Sequence, residues 1–553
     1  MRNIKIIFMM TFSLVLFNLY SMSEVYMNQN DIAFEKFLKE FVPQVEVKYE
    51  QICKAQWILE TTGSKDAAFL VGTLDNEYRV IFSDKNVYEK LLEFEKQGLD
   101  EPLLKRQLDV LLQEFKGNML PKKLLKQMSE KEANLAQVYA NFRTKLDGKV
   151  VSENELREIL KKEQKIDLRK KAWAASKEVG MLLAPEIIEL VKLRNEAAKH
   201  LGYENYFEMK LALSDIDKDK LKKTFDKLKN KTDTAFNEIL LQVNDTLAKQ
   251  FKVDPKDIGP WAFKDPFCQM DPIESNHLNT LFQDVDVLSI AKSFYEKMGF
   301  EIDDLIDRSD LYEREGKNQH AFCITIDRKK DVRTLNNIKP NVQWMETLLH
   351  EFGHAVYDLG TDENLPWLLR SPPHTLTTEA IALLMGRQAY SKEFIKEFLD
   401  IRDENILDEI DAGLKRRQLF FSRSAFMITE FESKLYEDPT QDLNTLWWDL
   451  YEKYYNSPRP EGREDLADWA AKYHVGLAPV YYYSYLLGEV LASTLQNKLL
   501  IINDDNKIWQ KQAANFLQDK MFFPGSKYKW NHLIKHVTDE KLSLNAWVED
   551  CTR

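Results

Sequence analysis

Glycine and proline are scarce in this 553-residue chain, at 18 and 17 residues. So few turn-formers exclude a fold of many short strands and favour long helices. Cysteine is rarer still: Cys53, Cys268, Cys323 and Cys551 match no metal-cluster spacing. They could form two disulfides in an exported protein or stay as free thiols. There is no excess of positive charge; the formal net charge of −12 argues against nucleic acid or an anionic membrane surface as main partner. Beyond the N-terminus no segment is apolar enough to cross a bilayer. What the chain does have is 44% hydrophobic and 12% aromatic residues, ample for a large packed core.

The N-terminus reads as an export signal. Arg2 and Lys5 precede an uncharged apolar run from Ile6 to Leu19, and Ser21-Met22-Ser23 offers small residues for cleavage. Residues 1–23 are therefore expected to be a signal peptide. That leaves 24–553 as one domain, periplasmic or secreted, with no membrane insertion once the signal is removed. From Glu24 to about Leu213 amphipathic helical patterns follow one another, among them "YEKLLEFEKQ", "PLLKRQLDVLLQEFKG", "ENELREILKKEQ" and "PEIIELVKLRNEAAKHLGY". Gly202 is placed to end the last of these. Residues 320–335, "HAFCITIDRKKDVRTL", break the pattern with β-branched residues around a charged turn, Asp327 to Asp331. They predict a small β-hairpin, whose strand could offer backbone groups to an extended peptide.

Just after it, residues 345–360 read "METLLHEFGHAVYDLG". On a helix His350 and His354 project from one face a turn apart, and Glu351 points roughly 100° away. That is the pattern of two zinc ligands with an adjacent general base. A third ligand is required. Asp358, Asp362 and Glu363 lie on or just beyond the same helix and are badly placed to close a tetrahedron. Glu379 opens a second predicted helix, "TLTTEAIALLMGRQAY", which could pack across the first. His374, in the connection before it, is the runner-up.

These residues resemble the angiotensin-converting-enzyme (peptidyl-dipeptidase A) family of zinc peptidases and, more distantly, thimet oligopeptidase and oligoendopeptidase F. The resemblance runs through residues 320–490 and more faintly through "RNEAAKHLGYENYFEMKL". Glu379 follows His354 by 25 residues, one more than in the first family and equal to the oligopeptidase spacing. Leu365-Pro366 and Leu369-Arg370 match paired residues between the ligands. His320-Ala321 matches a strand pair 30 residues before the first zinc histidine. "LWWDLYEKYY" and "AAKYHVGLAPVYYYSYLLGEV" match two downstream blocks.

The resemblance implies a mainly helical, all-α fold: two helical halves around a long deep cleft, with the hairpin beside the zinc helix. It implies one zinc ion on His350, His354 and Glu379, and Glu351 as base. His474 and Tyr485 would bond the substrate carbonyl, with Tyr483 the alternative to Tyr485. His320 and Ala321 would contact substrate, and Lys472 and Tyr482 would grip its terminal carboxylate. Tyr482 and Tyr485 share a helical face, whereas Tyr481 and Tyr483 are expected to be packing. Short peptides are the expected substrates, with loss of C-terminal dipeptides first. An oligoendopeptidase is the alternative, and a catalytically inactive peptide-binding protein is the alternative of another class.

The departures carry expectations too. Leu383 replaces an aspartate that supports a zinc histidine, so that support must come from elsewhere. Ser484 replaces an arginine associated with chloride activation. Phe263 falls where the family has a carboxylate-binding glutamine. His200, His277, His532 and His536 lack metal-like companions and are expected to be structural or solvated.

Overall fold

Many of the helices begin where the sequence offers a side-chain oxygen to the unpaired N–H groups of a first turn. The Ser152 hydroxyl accepts from the Glu155 N–H, and the Glu155 carboxylate accepts from the Ser152 N–H, a reciprocal cap that opens Glu153–Lys162. Asn341 caps the histidine-bearing helix Val342–Gly360 by accepting from the Trp344 N–H at 2.9 Å. Asp403 does the same for Glu404–Glu437. The computed structural model describes residues 28–552 apart from 274 and 275. These are mainly helical, with two short antiparallel hairpins among them. The expected signal peptide, residues 1–23, and the side chain of His277 lie outside what is described.

The amphipathic segments form helices with slightly different ends: Lys85–Gln97, Pro102–Asn118, Glu153–Lys162 and Val179–His200. The last begins six residues before Pro185, which it holds internally. It ends at Gly202 as expected: φ is +83°, and the Tyr203 N–H donates to the Ala198 carbonyl at 2.9 Å. Low glycine content finds its expression in three helices of 34 residues, Gln29–Thr62, Lys218–Phe251 and Glu404–Glu437. None of the described helices is long and apolar enough to cross a membrane.

One hairpin departs from the helical reading of the N-terminal part. Thr144–Leu146 pairs with Lys149–Val151 through Asp147-Gly148, whose φ values of 48° and 85° both lie in the left-handed region. Two such residues make the turn that matches strand twist, and Asp-Gly is its sequence signature. The anticipated hairpin pairs Phe322–Thr325 with Val332–Leu335. His320-Ala321 precedes the strand instead of lying on it.

The apolar interior divides in two. A smaller core stacks Phe34, Phe37, Phe41, Phe82, Phe94 and Phe115 of the N-terminal helices. Trp367 and Leu368, from the connection after the histidine helix, dock into it. The larger core is built around three helices: Val342–Gly360, Thr375–Gly386 and Tyr482–Asn503. Small residues let them approach. A Cβ on Gly353 would stand 2.9 Å from the Ala382 Cα, and one on Gly488 3.2 Å from the Glu379 Cβ. The first distance is a clash against backbone, which cannot swing away as a side chain can.

Gly353→Ala should therefore cost about 1–3 kcal/mol, since the contact is overpacked. Gly72→Ala, exposed in Lys65–Ile81 with open space around its Cβ, should gain roughly 0.5–1 kcal/mol. Thermal unfolding followed by circular dichroism reads both signs. A Gly353→Ala protein as stable as the parent would show that the helices crossing there are not in fixed contact.

Candidate metal centre

Two helices bring the predicted ligands together. His350 and His354 lie on one face of Val342–Gly360, and Glu379 projects from Thr375–Gly386. Glu379 Oε2 stands 3.6 Å from His350 Nε2 and 3.9 Å from His354 Nε2. All three ligand atoms lie within 4.8 Å of one another. Two atoms bound about 2.1 Å from a tetrahedral zinc stand roughly 3.4 Å apart, so the spacing suits that ion.

The polar bookkeeping points the same way. Glu379 Oε2 is buried without a hydrogen-bond partner. Burial drives the Glu379 carboxyl up to about 7, against the Tyr481 hydrogen bond that lowers it. Burial, then the Arg417 charge, holds His350 down at about 4. Burial and His350 keep His354 well below its usual value. Neutral imidazoles and an unpaired carboxylate oxygen facing one point are a donor set that fits a divalent cation. His374 has another duty. It caps Thr375–Gly386, its Nδ1 accepting the Leu376 N–H at 2.9 Å, and it stands outside the cluster.

The missing aspartate is replaced by a neighbour of the glutamate. Thr378 Oγ1 lies 2.6 Å from His354 Nδ1, so it can fix the ring and leave Nε2 facing Glu379. One turn before His350, Glu346 pairs with Arg417 and accepts from the Tyr390 hydroxyl at 3.2 Å. Thr325 of the second hairpin donates to Asp358 at the far end of the same helix, tying strand to helix.

Glu351 is 7% exposed, and its carboxyl is pushed up to about 8 by burial first and the Glu379 charge second. Tyr485 feels both carboxylates: burial, then Glu379 and Glu351, raise its hydroxyl. Tyr483 faces elsewhere, buried and bonded towards Ser214 and Ser484, so the two tyrosines are separated as expected. Tyr481 is not mere packing, contrary to the sequence reading. Its hydroxyl donates to Glu379 Oε1 at 3.2 Å and its ring packs 4.9 Å from that of Tyr485. As the N-cap of Tyr482–Asn503 it stands four residues before Tyr485, the spacing that puts two side chains on one helix face.

His474 sits beside Tyr482 and Tyr485, ring centroids 4.8 and 6.4 Å away. Its Nδ1 is buried without a partner. Burial, then the charges of Lys472 and His320, lower it to about 3, so the ring is neutral. His320 is exposed and its backbone N–H donates to Asn318; Ala321 is half-buried.

A third residue joins Lys472 and Tyr482. Gln269 Oε1 accepts from Lys472 Nζ at 3.1 Å and from the Tyr482 hydroxyl at 2.7 Å. Phe263 is no substitute for a glutamine there; it packs in the core against Phe420. The Asp265 carboxylate accepts the N–H groups of Phe267, Gln269 and Met270 at 2.8–3.0 Å and so fixes the turn that presents Gln269. Burial lowers Lys472 to about 7, partly opposed by Asp265. Among the remaining groups, His200 and His532 are exposed, His536 packs against Tyr528, and all four cysteines are free.

Residues 159–552 match the family model described as peptidase family M3, and residues 28–258 match that of angiotensin-converting enzyme. An oligoendopeptidase F homolog from Lactococcus lactis subsp. lactis (strain IL1403) is 26% identical over 219 residues, which is 38% of this chain and 33% of that protein. The chromosomal oligoendopeptidase F of Lactococcus lactis subsp. cremoris is 29% identical over 162 residues, 28% of this chain and 26% of that protein. The similarity thus spans at most a third of the length of these curated relatives.

Thr378→Val keeps the shape of the side chain and removes the oxygen at His354. Zinc affinity should fall about 10–100-fold, the usual effect of losing such an orienting bond. Competition with a calibrated chelator measures it, with circular dichroism confirming the fold. Unchanged affinity would mean that the ring is held by packing alone.

Proposed function

The chain belongs to peptidase family M3, and we propose that it is a zinc-dependent peptidase acting on short peptides, chiefly by releasing dipeptides from a free C-terminus. The observation that carries the hydrolytic reading is the convergence of His350, His354 and an unpaired Glu379 oxygen beside the buried base Glu351. An inactive binder of peptides has no use for that base. Zinc bound there would polarise the scissile carbonyl and acidify water.

The chain's own residues supply the rest. Glu351 accepts a proton from the attacking water and passes it to the leaving amine. Burial and the Glu379 charge raise the Glu351 carboxyl, and a cation held beside it would lower it again and leave the carboxylate free to act as base. Tyr485, and His474 in its neutral form, donate to the oxygen of the scissile carbonyl as negative charge builds on it. The outer edge of Phe322–Thr325 has no strand partner among the described residues, so an extended peptide can add to it, with His320 and Ala321 at its start.

Exopeptidase polarity rests on Lys472, Tyr482 and Gln269. A buried lysine held at about 7 regains its charge when a carboxylate arrives, and that coupling favours a substrate with a free C-terminus. The dipeptide length comes from the resemblance to peptidyl-dipeptidases. A second reading, an oligoendopeptidase, is favoured by the named relatives and by the spacing from His354 to Glu379. Residues 24–553 are read as one catalytic domain, exported by residues 1–23.

Glu351→Gln should keep its zinc and lose at least about 100-fold in turnover on a blocked tripeptide. Full activity in that variant, or in protein stripped of metal, would overturn the hydrolytic mechanism. Amidating the C-terminus of the same peptide should lower kcat/KM by roughly tenfold or more, since a charge-assisted contact contributes about 1.5–3 kcal/mol. Lys472→Met should abolish the difference between free and amidated peptides. Equal rates on both with the parent protein would favour the oligoendopeptidase.

A further inference from the structure

We propose that Glu432 is a positioning residue that pins the connection 478–481 and thereby holds Tyr481 and Tyr485 on the metal side of their helix. The inference rests on the peptidase reading for its catalytic consequence, while the pin itself is a matter of geometry.

Glu432 lies on the long helix Glu404–Glu437 and is 1% exposed. Its Oε1 accepts the backbone N–H of Val480 at 2.8 Å. Val480 has φ +59°. A β-branched residue essentially avoids that region, and one found there persists only if its surroundings impose it. Val480 immediately precedes Tyr481, whose hydroxyl reaches Glu379 and whose ring meets Tyr485. A change of φ at Val480 would swing the entry to Tyr482–Asn503 and displace both hydroxyls.

Packing gives the loop little support on one side. Leu477, Ala478, Pro479 and Tyr481 border a cavity of about 310 Å³. Arg194, also on that cavity, donates to the Tyr436 hydroxyl at 3.2 Å and pairs with Glu132 at 2.8 Å. Its charge lowers the Glu432 carboxyl, as does the Val480 bond, but burial dominates and pushes it to about 8. At neutral pH the group is mainly the uncharged acid, so a primary amide is its close mimic. Glu432→Gln therefore keeps an acceptor for Val480, and Glu432→Leu keeps the volume without it.

The test combines amide hydrogen exchange with kinetics. In Glu432→Leu the Val480 amide should exchange at least tenfold faster than in the parent. Its kcat on the blocked tripeptide should fall at least tenfold, with KM within threefold and zinc content unchanged. Glu432→Gln should stay within threefold of the parent in every readout. Adding Tyr485→Phe should cost less in the Glu432→Leu background than in the parent, because the hydroxyl is already misplaced; a merely structural role gives additive losses. Should Glu432→Leu fail to fold, Glu432→Asp, which withdraws the carboxylate by one methylene, should show the same loss of protection and kcat. Parent-like protection of Val480, or parent-like kcat despite lost protection, would overturn the proposal. A parent protein that cleaves no peptide would overturn the peptidase reading, while Val480 exchange in the variants would still support or overturn the pin.

Discussion

Everything at the site depends on bringing one buried carboxylate from a second helix to within 4 Å of two imidazoles on the first. That distance is set by backbone approach, not by side-chain reach. Gly353 lets Thr375–Gly386 lie against the histidine helix, and Gly488 lets the tyrosine helix lie against Glu379 from the other side. Each is a point where a methyl group would separate the helices. A small lateral shift there would carry Glu379 away from both histidines, and Tyr481 from Glu379. The surrounding residues, Leu348, Leu349, Phe352, Ala380, Ile381, Leu384, Leu487 and Leu491, are nearly all fully buried. The ligand set is thus fixed by a dense apolar core in which little can relax.

How much of this was legible in the sequence depends on how local its cause is. His350, Glu351 and His354 share one helix, and periodicity alone puts the two histidines on a face. Glu379 required a second helix and a guess about packing, and its spacing made the guess good. Gln269, Thr378 and Glu432 were not seen. Each acts through a partner between 24 and 213 positions away, and nothing in the neighbouring residues announces the meeting. Tyr481 was misread for another reason. The face was drawn through Tyr482 and Tyr485, three apart, although Tyr481 stands four before Tyr485 and continues the helical phase from the N-cap onto the same side. The hairpin at residues 144–151 is the opposite case, since Asp147-Gly148 carried its turn signal in plain view among helical segments.

The charges of the site follow from the same burial. Glu351, Glu379 and Glu432 are all driven towards the uncharged acid, and Lys472 towards the uncharged amine, with desolvation the largest cause in each. Groups in this condition are poor at stabilising the fold through ion pairs, because each loses its charge before it gains a partner. They are well suited to respond to what enters. A cation beside Glu379 restores its negative charge, and a carboxylate beside Lys472 restores its positive one. Glu432 differs from the others in having no such visitor, since its partner is a backbone N–H that is always there. On the proposed reading, the burial of Glu432 serves the structure of the site, whereas that of Glu379 and Lys472 serves binding. The same desolvation that makes these groups costly to bury with their charges is what couples the core to the proposed chemistry.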